Sequence, residues 1–591
     1  MVHDSRVPLW PVLACWALTA AALVLRAVLT ADTTPLILDT DDAMRLTVVH
    51  DFLAGQGWFD HIQHRLNTPW GGEMHWSRLV DLPEALLLAA LRPLAGAAAD
   101  TALAFVWPVL LLGALLWLTA RIALHLGGRH ALWPALLLPA FSVTTLGEFA
   151  PGRLDHHAVQ ILLALLMLLG ALHAETRPRG AFLSGVAAGV ALAIGIEALP
   201  LVAATILVYG LLWVADGRHA AALRDFGLAF AVTTTLGLAQ GFAPGTWLVP
   251  GADAISITYV IAALLCGAAF VLLPRLPLAS WRGRLVAGAA AGALVTGIVV
   301  ASYPPILRGP YSALDPWLLA NWIDRIAEAM PWAASFRDAP IHAVAVGVPV
   351  LAALIIALWN GVRRPARRGR WLIYLVFLAV ALAVMALQIR GARLAVPLAV
   401  PAGAVLTGAA FRYMVRSHGL RPIFAVLGSI TVSAGIFVAL FAVIIEALAF
   451  PAAANVGRAA DPGPRQACYQ PSAFAALAAL PPARILSPID LGSHILLFTP
   501  HAVVSAPYHR NPEAVRDTYR FFNDPIEAGR AILRARGIDY VVICAAMNEV
   551  RGFVAHTPDS FVTLFAAGRL PAWLRDETPP GATLRLYAVA P

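Results

Sequence analysis

Apolar stretches of about 17 to 25 residues, each long enough to cross a bilayer as a helix, recur along most of this chain. Thirteen can be marked, near 9–30, 101–124, 131–148, 157–173, 182–198, 200–215, 226–243, 254–273, 285–302, 341–359, 371–388, 395–411 and 423–450. No cleavable leader is evident, so the first stretch is expected to remain as a span. After residue 450 the pattern changes, and short apolar runs alternate with polar turns. There "ARILSPI", "AVVSA", "YVVICA" and "TLRLYAVA" read as strands, and "PEAVRDTYRFF" and "DPIEAGRAILRARG" as helices. The pattern predicts a polytopic α-helical membrane domain over 1–450, with external loops at 31–100 and 303–340. A small α/β domain is expected over 451–591.

Composition agrees. The 591 residues are 60% hydrophobic and 13% charged, about half the charge of a soluble protein. The formal net charge is +8, and with no lysine in the chain arginine supplies all the fixed positive charge. A nucleic-acid binder would cluster its arginines on an aqueous domain. Here they fall in short gaps between apolar runs, so no nucleic-acid partner is expected and the arginines report topology. With the N-terminus inside, the inner loops are "LGGRH", "ETRPRG", "DGRHAAALRD", "PRLPLASWRGR", "NGVRRPARRGR" and "FRYMVRSHGLRP". Thirteen spans then place the tail outside, with the two long loops and "EFAPGRLDHH". The expected setting is a bacterial inner membrane, N-terminus cytoplasmic and tail periplasmic. In that oxidising compartment Cys468 and Cys544 have two open fates, a disulfide or simple burial of Cys544 in its strand.

Nearly all clustered acids lie on the outer side. "LILDTDDAMRL" carries Asp39, Asp41 and Asp42, and "WFDHIQHRLNTPWGGEMHWSRLVDLPEA" follows with Trp76 and Arg78. "GEFAPGRLDHHAVQ" holds Glu148, Asp155, His156 and His157, and "WIDRIAEAMPW" holds Asp324 and Glu328. "QIRGARLAVP" puts Arg390 and Arg393 at an outer helix end, against the arginine trend. Singly, each has a plainer role: a helix cap, an interfacial imidazole, a Trp with a snorkelling Arg, an anchored turn. Together they suit one chemistry. Carboxylates with an imidazole make a site for Mg²⁺ or Mn²⁺, and an outward arginine grips a phosphate. Asp155 is expected to face water.

At these residues the chain resembles the catalytic subunit of oligosaccharyltransferase and, more broadly, the GT-C glycosyltransferases. "DTDDAMRL…WFDHIQ…NTPWGG" is similar to that family's first-loop motif, and "APGRLDHHAVQILLAL" to its second, with His157 where a second acid is usual. "GPYSALDPWLLANWIDRIAEAMPW" resembles the large external loop that ends in a catalytic Glu, and "RGARLAVPLA" the segment gripping the lipid-linked phosphate. The resemblance implies metal ligands Asp42, Asp155 and His157, with Asp41 left open as the alternative to Asp42. It implies phosphate binding by Arg393, less well by Arg390, and catalytic roles for Asp41, Asp42 and Glu328.

One departure stands out. The Trp-Trp-Asp-Tyr-Gly signature that recognises a sequon should open the tail domain, and the chain reads "LSPIDLGSHILLFTPHAVVSAPYHRN" there. Asp490 and Gly492 remain and both tryptophans are gone. The expectation is a transferase using a polyprenyl-phosphate or polyprenyl-diphosphate sugar. Its acceptor would be a glycan, a lipid or a protein hydroxyl rather than an Asn sequon, approached through Asp490, Trp76 and Arg78. The alternatives are a protein oligosaccharyltransferase, an inactive assembly partner, and a transporter or flippase of lipid-linked glycans. A transporter should show internal repeats and ionisable groups in mid-membrane. No repeat is visible, and Arg26, Glu197 and Glu446 each lie near an outer span end.

Overall fold

The computed structural model describes residues 7–174, 178–312, 314–449, 463–547, 550 and 557–590. Nine helices among the described residues are long and apolar enough to cross a membrane, and a tenth span is possible if one bent pair counts. The expected thirteen are therefore not all simple spans, and the reasons are local. The stretch 131–148 breaks into Leu132–Leu137, the 3₁₀ turn Leu138–Phe141 and Val143–Gly147, with Pro139 entering the turn and Ser142 capping the last piece. The stretch 182–198 is the helix Pro178–Ile194, which stops at an extended Gly195. The helix Ala220–Gly241 is long enough but carries Arg224, Asp225 and three threonines. The last stretch bends by 101° between Leu420–Ser433 and Gly435–Ile445. The side chain of Glu446 and the expected domain boundary at 450/451 lie outside what is described.

The bundle has two chemically distinct ends. At one, Arg367 and Arg370 donate to the carbonyls of Leu126 and His125 that close the Ala99–Gly127 helix. Guanidinium groups there complement a helix C-terminus. At the other end the two long loops and the tail meet.

The first loop is not irregular. It contains the helices Thr40–Leu53 and Arg78–Ala95, and the short antiparallel pair Ile62–Gln63 and Gly72–Glu73. Its apolar side chains do not form a core alone. Met44, Val48, Leu66, Met74 and Trp76 share one buried cluster with Ile485, Val503, Tyr508 and Phe521 of the tail. Removing this apolar surface from water is what holds loop and tail together.

The tail is a five-stranded mixed sheet in the order Ala502–Val503, Arg484–Leu486, Tyr540–Ile543, Arg585–Val589, Leu574–Asp576. The first three strands are parallel, and the last two pair antiparallel. All four expected strands are present, as are the helices Pro512–Asn523 and Ile526–Arg536. The helix Ile489–Phe498 and the strand Leu574–Asp576 had no clear signal in the sequence. Cys468 and Cys544 form a disulfide with a Cα–Cα distance of 6.1 Å. The second long loop also docks here, through Leu314, Leu318 and Trp322 against Ile489 and Val515.

Candidate active site

The acids of the first loop begin as a helix cap. Asp39 is extended before the Thr40–Leu53 helix and accepts from the Asp41 amide at 3.0 Å, so Asp41 and Asp42 occupy the first turn. Asp42 goes further. It is 1% exposed, and its Oδ1 accepts from the amides of Leu154 and Asp155 at 2.7 and 2.8 Å. Its Oδ2 accepts from Arg153 at 2.8 Å, and the same guanidinium reaches Asp39 at 2.7 Å and Glu148 at 3.1 Å. Burial pushes the Asp42 carboxyl up to about 7, with Arg153 opposing and Asp39 and Asp155 reinforcing. Gly152 lets the two loops come this close. Its φ is +95°, and a Cβ there would overlap the carbonyl of Leu36.

Asp155 leads a compact triad with His156 and His157, in which one ligand atom from each lies within 4.8 Å of the others. Asp155 is 3% exposed and does not face water, because the imidazoles and Arg45 enclose it. Its Oδ1 lies 2.6 Å from His156 Nδ1 and its Oδ2 lies 3.1 Å from His157 Nε2. Burial works against its charge, but His156 and His157 outweigh it and hold the carboxyl well below its usual range. His156, in turn, is raised to about 10; burial opposes this, and Asp155 and Glu197 drive it. Arg393 Nη1 donates to His157 Nε2 at 2.6 Å, so the single lone pair of that nitrogen faces the guanidinium. Asp155 Oδ2, facing the same nitrogen, has no hydrogen-bond partner among the described residues. A cation between Asp155 Oδ2 and His157 Nε2, which lie 3.1 Å apart, would take the place of the Arg393 hydrogen bond on that nitrogen.

Arg45 braces the triad from below. It is 1% exposed, donates to Asp81 at 2.5 Å and Asp155 at 3.4 Å, and lies 4.2 Å over the Trp76 ring. Arg78 shares Asp81 at 3.1 Å and donates to the carbonyl of Asp60.

Arg393 closes the cluster from the far side of the chain. Its Nη2 donates to both oxygens of Glu328 at 2.9 and 2.8 Å, and its Nε lies 3.2 Å from Glu148. The structure thus brings Asp42, Asp155, His157, Glu328 and Arg393 into one bonded cluster. Asp41 stands at its edge beside the Tyr508 phenol, and burial with Asp155 and Asp39 raises its carboxyl. Arg390 does not join; it donates to Gln388 at 2.9 Å. Asp324 stays exposed. Of the expected acceptor residues, Trp76 lines the space next to His156 and meets Tyr508 edge-on at 5.4 Å. Arg78 is buried against Asp81, and Asp490 lies 4.0 Å from Arg465. Gly492 is explained by packing, since a Cβ would overlap the Ser505 carbonyl. The sequence had not singled out Arg45, Asp81 or Arg153, although Arg45 and Arg153 sit inside the two acidic motifs.

The chain has the GT-C fold that its motifs imply. In particular, it is similar to the archaeal oligosaccharyltransferase AglB from Archaeoglobus fulgidus in complex with an inhibitory peptide and a dolichol-phosphate. That match has a TM-score of 0.64 at 14% identity, covering 97% of this chain and 74% of that one. An Archaeoglobus fulgidus oligosaccharyltransferase in complex with Zn and sulfate matches with a TM-score of 0.60 at 13% identity, over 96% and 73% of the two chains. Tethered with an acceptor peptide containing the NVT sequon, it matches with a TM-score of 0.64 at 12% identity, over 98% and 74%. At these identities the likeness is one of fold. No protein-family model matches the chain, and no curated protein does.

Proposed function

We propose that this protein is an inverting glycosyltransferase that takes a sugar or glycan from a polyprenyl-phosphate or polyprenyl-diphosphate donor on the outer face of a bacterial inner membrane. The observation that carries this reading is the bonded cluster of Asp42, Asp155, Arg393 and Glu328, contributed by four distant segments at one end of a GT-C bundle. Two structures of similar fold are described as complexes with a dolichol-phosphate and with Zn and sulfate, which supports a lipid phosphate and a metal as the kinds of ligand proposed here.

Asp155 and His157, with the one free lone-pair direction of Asp42, would hold a divalent cation, while His156, paired to Asp155 and raised to about 10, stays protonated and off the ion. An imidazole among the carboxylates suits Mn²⁺ better than Mg²⁺, which prefers oxygen ligands alone. The chemistry supplied by a bound cation is stabilisation of negative charge on the departing phosphate. Arg153 and two amides engage three of the four lone-pair directions of Asp42, so it fixes the loop that carries Asp155 and keeps one Oδ2 direction free. Arg393 exchanges its exposed partner Glu328 for the donor phosphate, as a guanidinium fork readily does. Glu328, released, orients the acceptor hydroxyl, with Asp41 as the alternative. In the transfer the anomeric carbon–oxygen bond to phosphate breaks and its electron pair leaves with the phosphate. The acceptor oxygen bonds to the opposite face of that carbon, and its proton passes to the carboxylate.

The deciding experiment is a strain lacking the protein, examined for lipid-linked sugar by leaflet. Build-up on the outer leaflet, with a truncated envelope glycan, is expected. Build-up on the inner leaflet would instead mark a flippase.

A further inference from the structure

Two cavities lie end to end beside the triad. The outer one, about 450 Å³, is walled on its apolar side by Phe242, Tyr303 and Leu314 and on its polar side by Asp253, His509 and Arg510. A narrower inner one shares Phe242 and Asp253 with it and ends on His75, Trp76, His156 and Glu197. The polar wall is already charge-matched. Asp253 accepts from His509 at 2.9 Å and from Arg510 at 2.6 and 3.1 Å, and Arg510 also donates to Glu73 at 2.6 Å. A charged ligand would find no unmatched partner in this wall, whereas the fixed carboxylate and guanidinium edges offer acceptors and donors to neutral hydroxyls. The opposite wall presents aromatic and aliphatic faces to C–H groups. At the inner end, His75 Nδ1 and His156 Nε2 have no hydrogen-bond partner among the described residues. Main-chain recognition of an extended peptide would need an open strand edge. The sheet edge at Ala502–Val503 is closed by the backbone of Arg65 and Thr68, at 2.8 and 3.1 Å from Val503.

We propose that the outer cavity is the acceptor site and takes an uncharged, hydroxyl-rich glycan, one recognition hydroxyl of which points past Phe242 and Asp253 into the water-sized inner cavity toward Glu197 and His156. The assignment rests on the glycosyl-transfer reading above. It is tested with the full chain in nanodiscs on an array of neutral oligosaccharides, acidic oligosaccharides and Asn-X-Thr peptides. Retention on a subset of the neutral oligosaccharides is expected, weakened about tenfold or more by Tyr303→Ala and by the cavity-filling Ser312→Trp, as the loss of one or two good contacts implies. Retention only on peptides or acidic glycans, no retention at all, or retention unchanged in both variants overturns it. Mn²⁺ uptake by the same preparation, read by electron paramagnetic resonance and abolished in Asp155→Asn, tests the transfer reading separately. Intact uptake with no glycan retention sinks the acceptor assignment alone.

Discussion

Asp155 is the residue on which the proposed chemistry turns, and its burial decides how it should be tested. Asp155→Ala would leave Arg45 and His156 facing a void, so a lost activity could reflect lost structure. Asp155→Asn keeps the shape and removes the charge. Transfer by purified Asp155→Asn should fall at least about a hundredfold with the unfolding temperature little changed, the scale of losing one preorganised electrostatic group. A wild-type rate would refute the metal assignment. Arg393→Ala should raise the donor KM far more than the acceptor KM, and equal effects would contradict a phosphate role. Arg45 belongs to a different category, because it is buried with Asp81 and touches no open space. Arg45→Ala should cost about 3–5 kcal/mol of stability, the usual penalty for stranding one partner of a buried ion pair, measured by thermal unfolding in detergent. Asp42, Asp155 and Arg393 were visible in the sequence because charged residues are rare beside apolar spans. Arg153 was visible only as a letter in a motif, since its partner Asp39 lies 114 positions away. Sequence spacing carries no information about a pairing of that kind.

At the level of elements, legibility follows how local the cause is. The tail strands at 484–486 and 540–543 were readable because β-branched runs bounded by turns define them within a few residues. The broken helix at 131–148 was not, because its apolar run is continuous and only Pro139 and the Ser142 cap interrupt it. The closest junction between elements is Gly152 against Leu36. Gly152→Ala should force the motif loop off the first loop at a cost of about 1–3 kcal/mol of backbone strain, and lower transfer although it touches no acid. Paired unfolding and rate measurements check this, and a fully active, equally stable variant would refute the junction's role. The Asp253 clamp gives a pH prediction. Burial works to raise this carboxyl, but the hydrogen bonds from His509 and Arg510 outweigh it and hold it well below its ordinary value. A depressed carboxyl contributes stability above its unfolded pKa of about 3.9 and loses it as pH falls through the folded value. Docking of the tail on the segment 246–256 should therefore hold unchanged from neutral pH to about pH 5 and loosen only in strong acid. Protease sensitivity across that range reads it out, with Asp253→Asn already sensitive at neutral pH; a wild-type tail that loosens near pH 6 would contradict the clamp.

For the whole molecule, the separation of charge between the two ends of the bundle is the largest-scale feature, and it ties orientation to function. The triad, Arg393 and the tail share one end, while Arg367 and Arg370 mark the other. Arginine-rich short loops are retained on the cytoplasmic side because they resist translocation, whereas acidic loops follow the chain across with little penalty. That bias predicts an active centre in the periplasm, which is also where a Cys468–Cys544 disulfide would persist. Two single-cysteine variants check the orientation. A cysteine introduced at Ser472, in an exposed turn of the tail, should react with a membrane-impermeant maleimide in intact cells. One at Ser417, beside the arginine-rich end, should react only after the inner membrane is opened. The reverse pattern would put the donor phosphate on the cytoplasmic leaflet, where sugar nucleotides are at hand, and would remove the reason for a lipid-linked donor altogether.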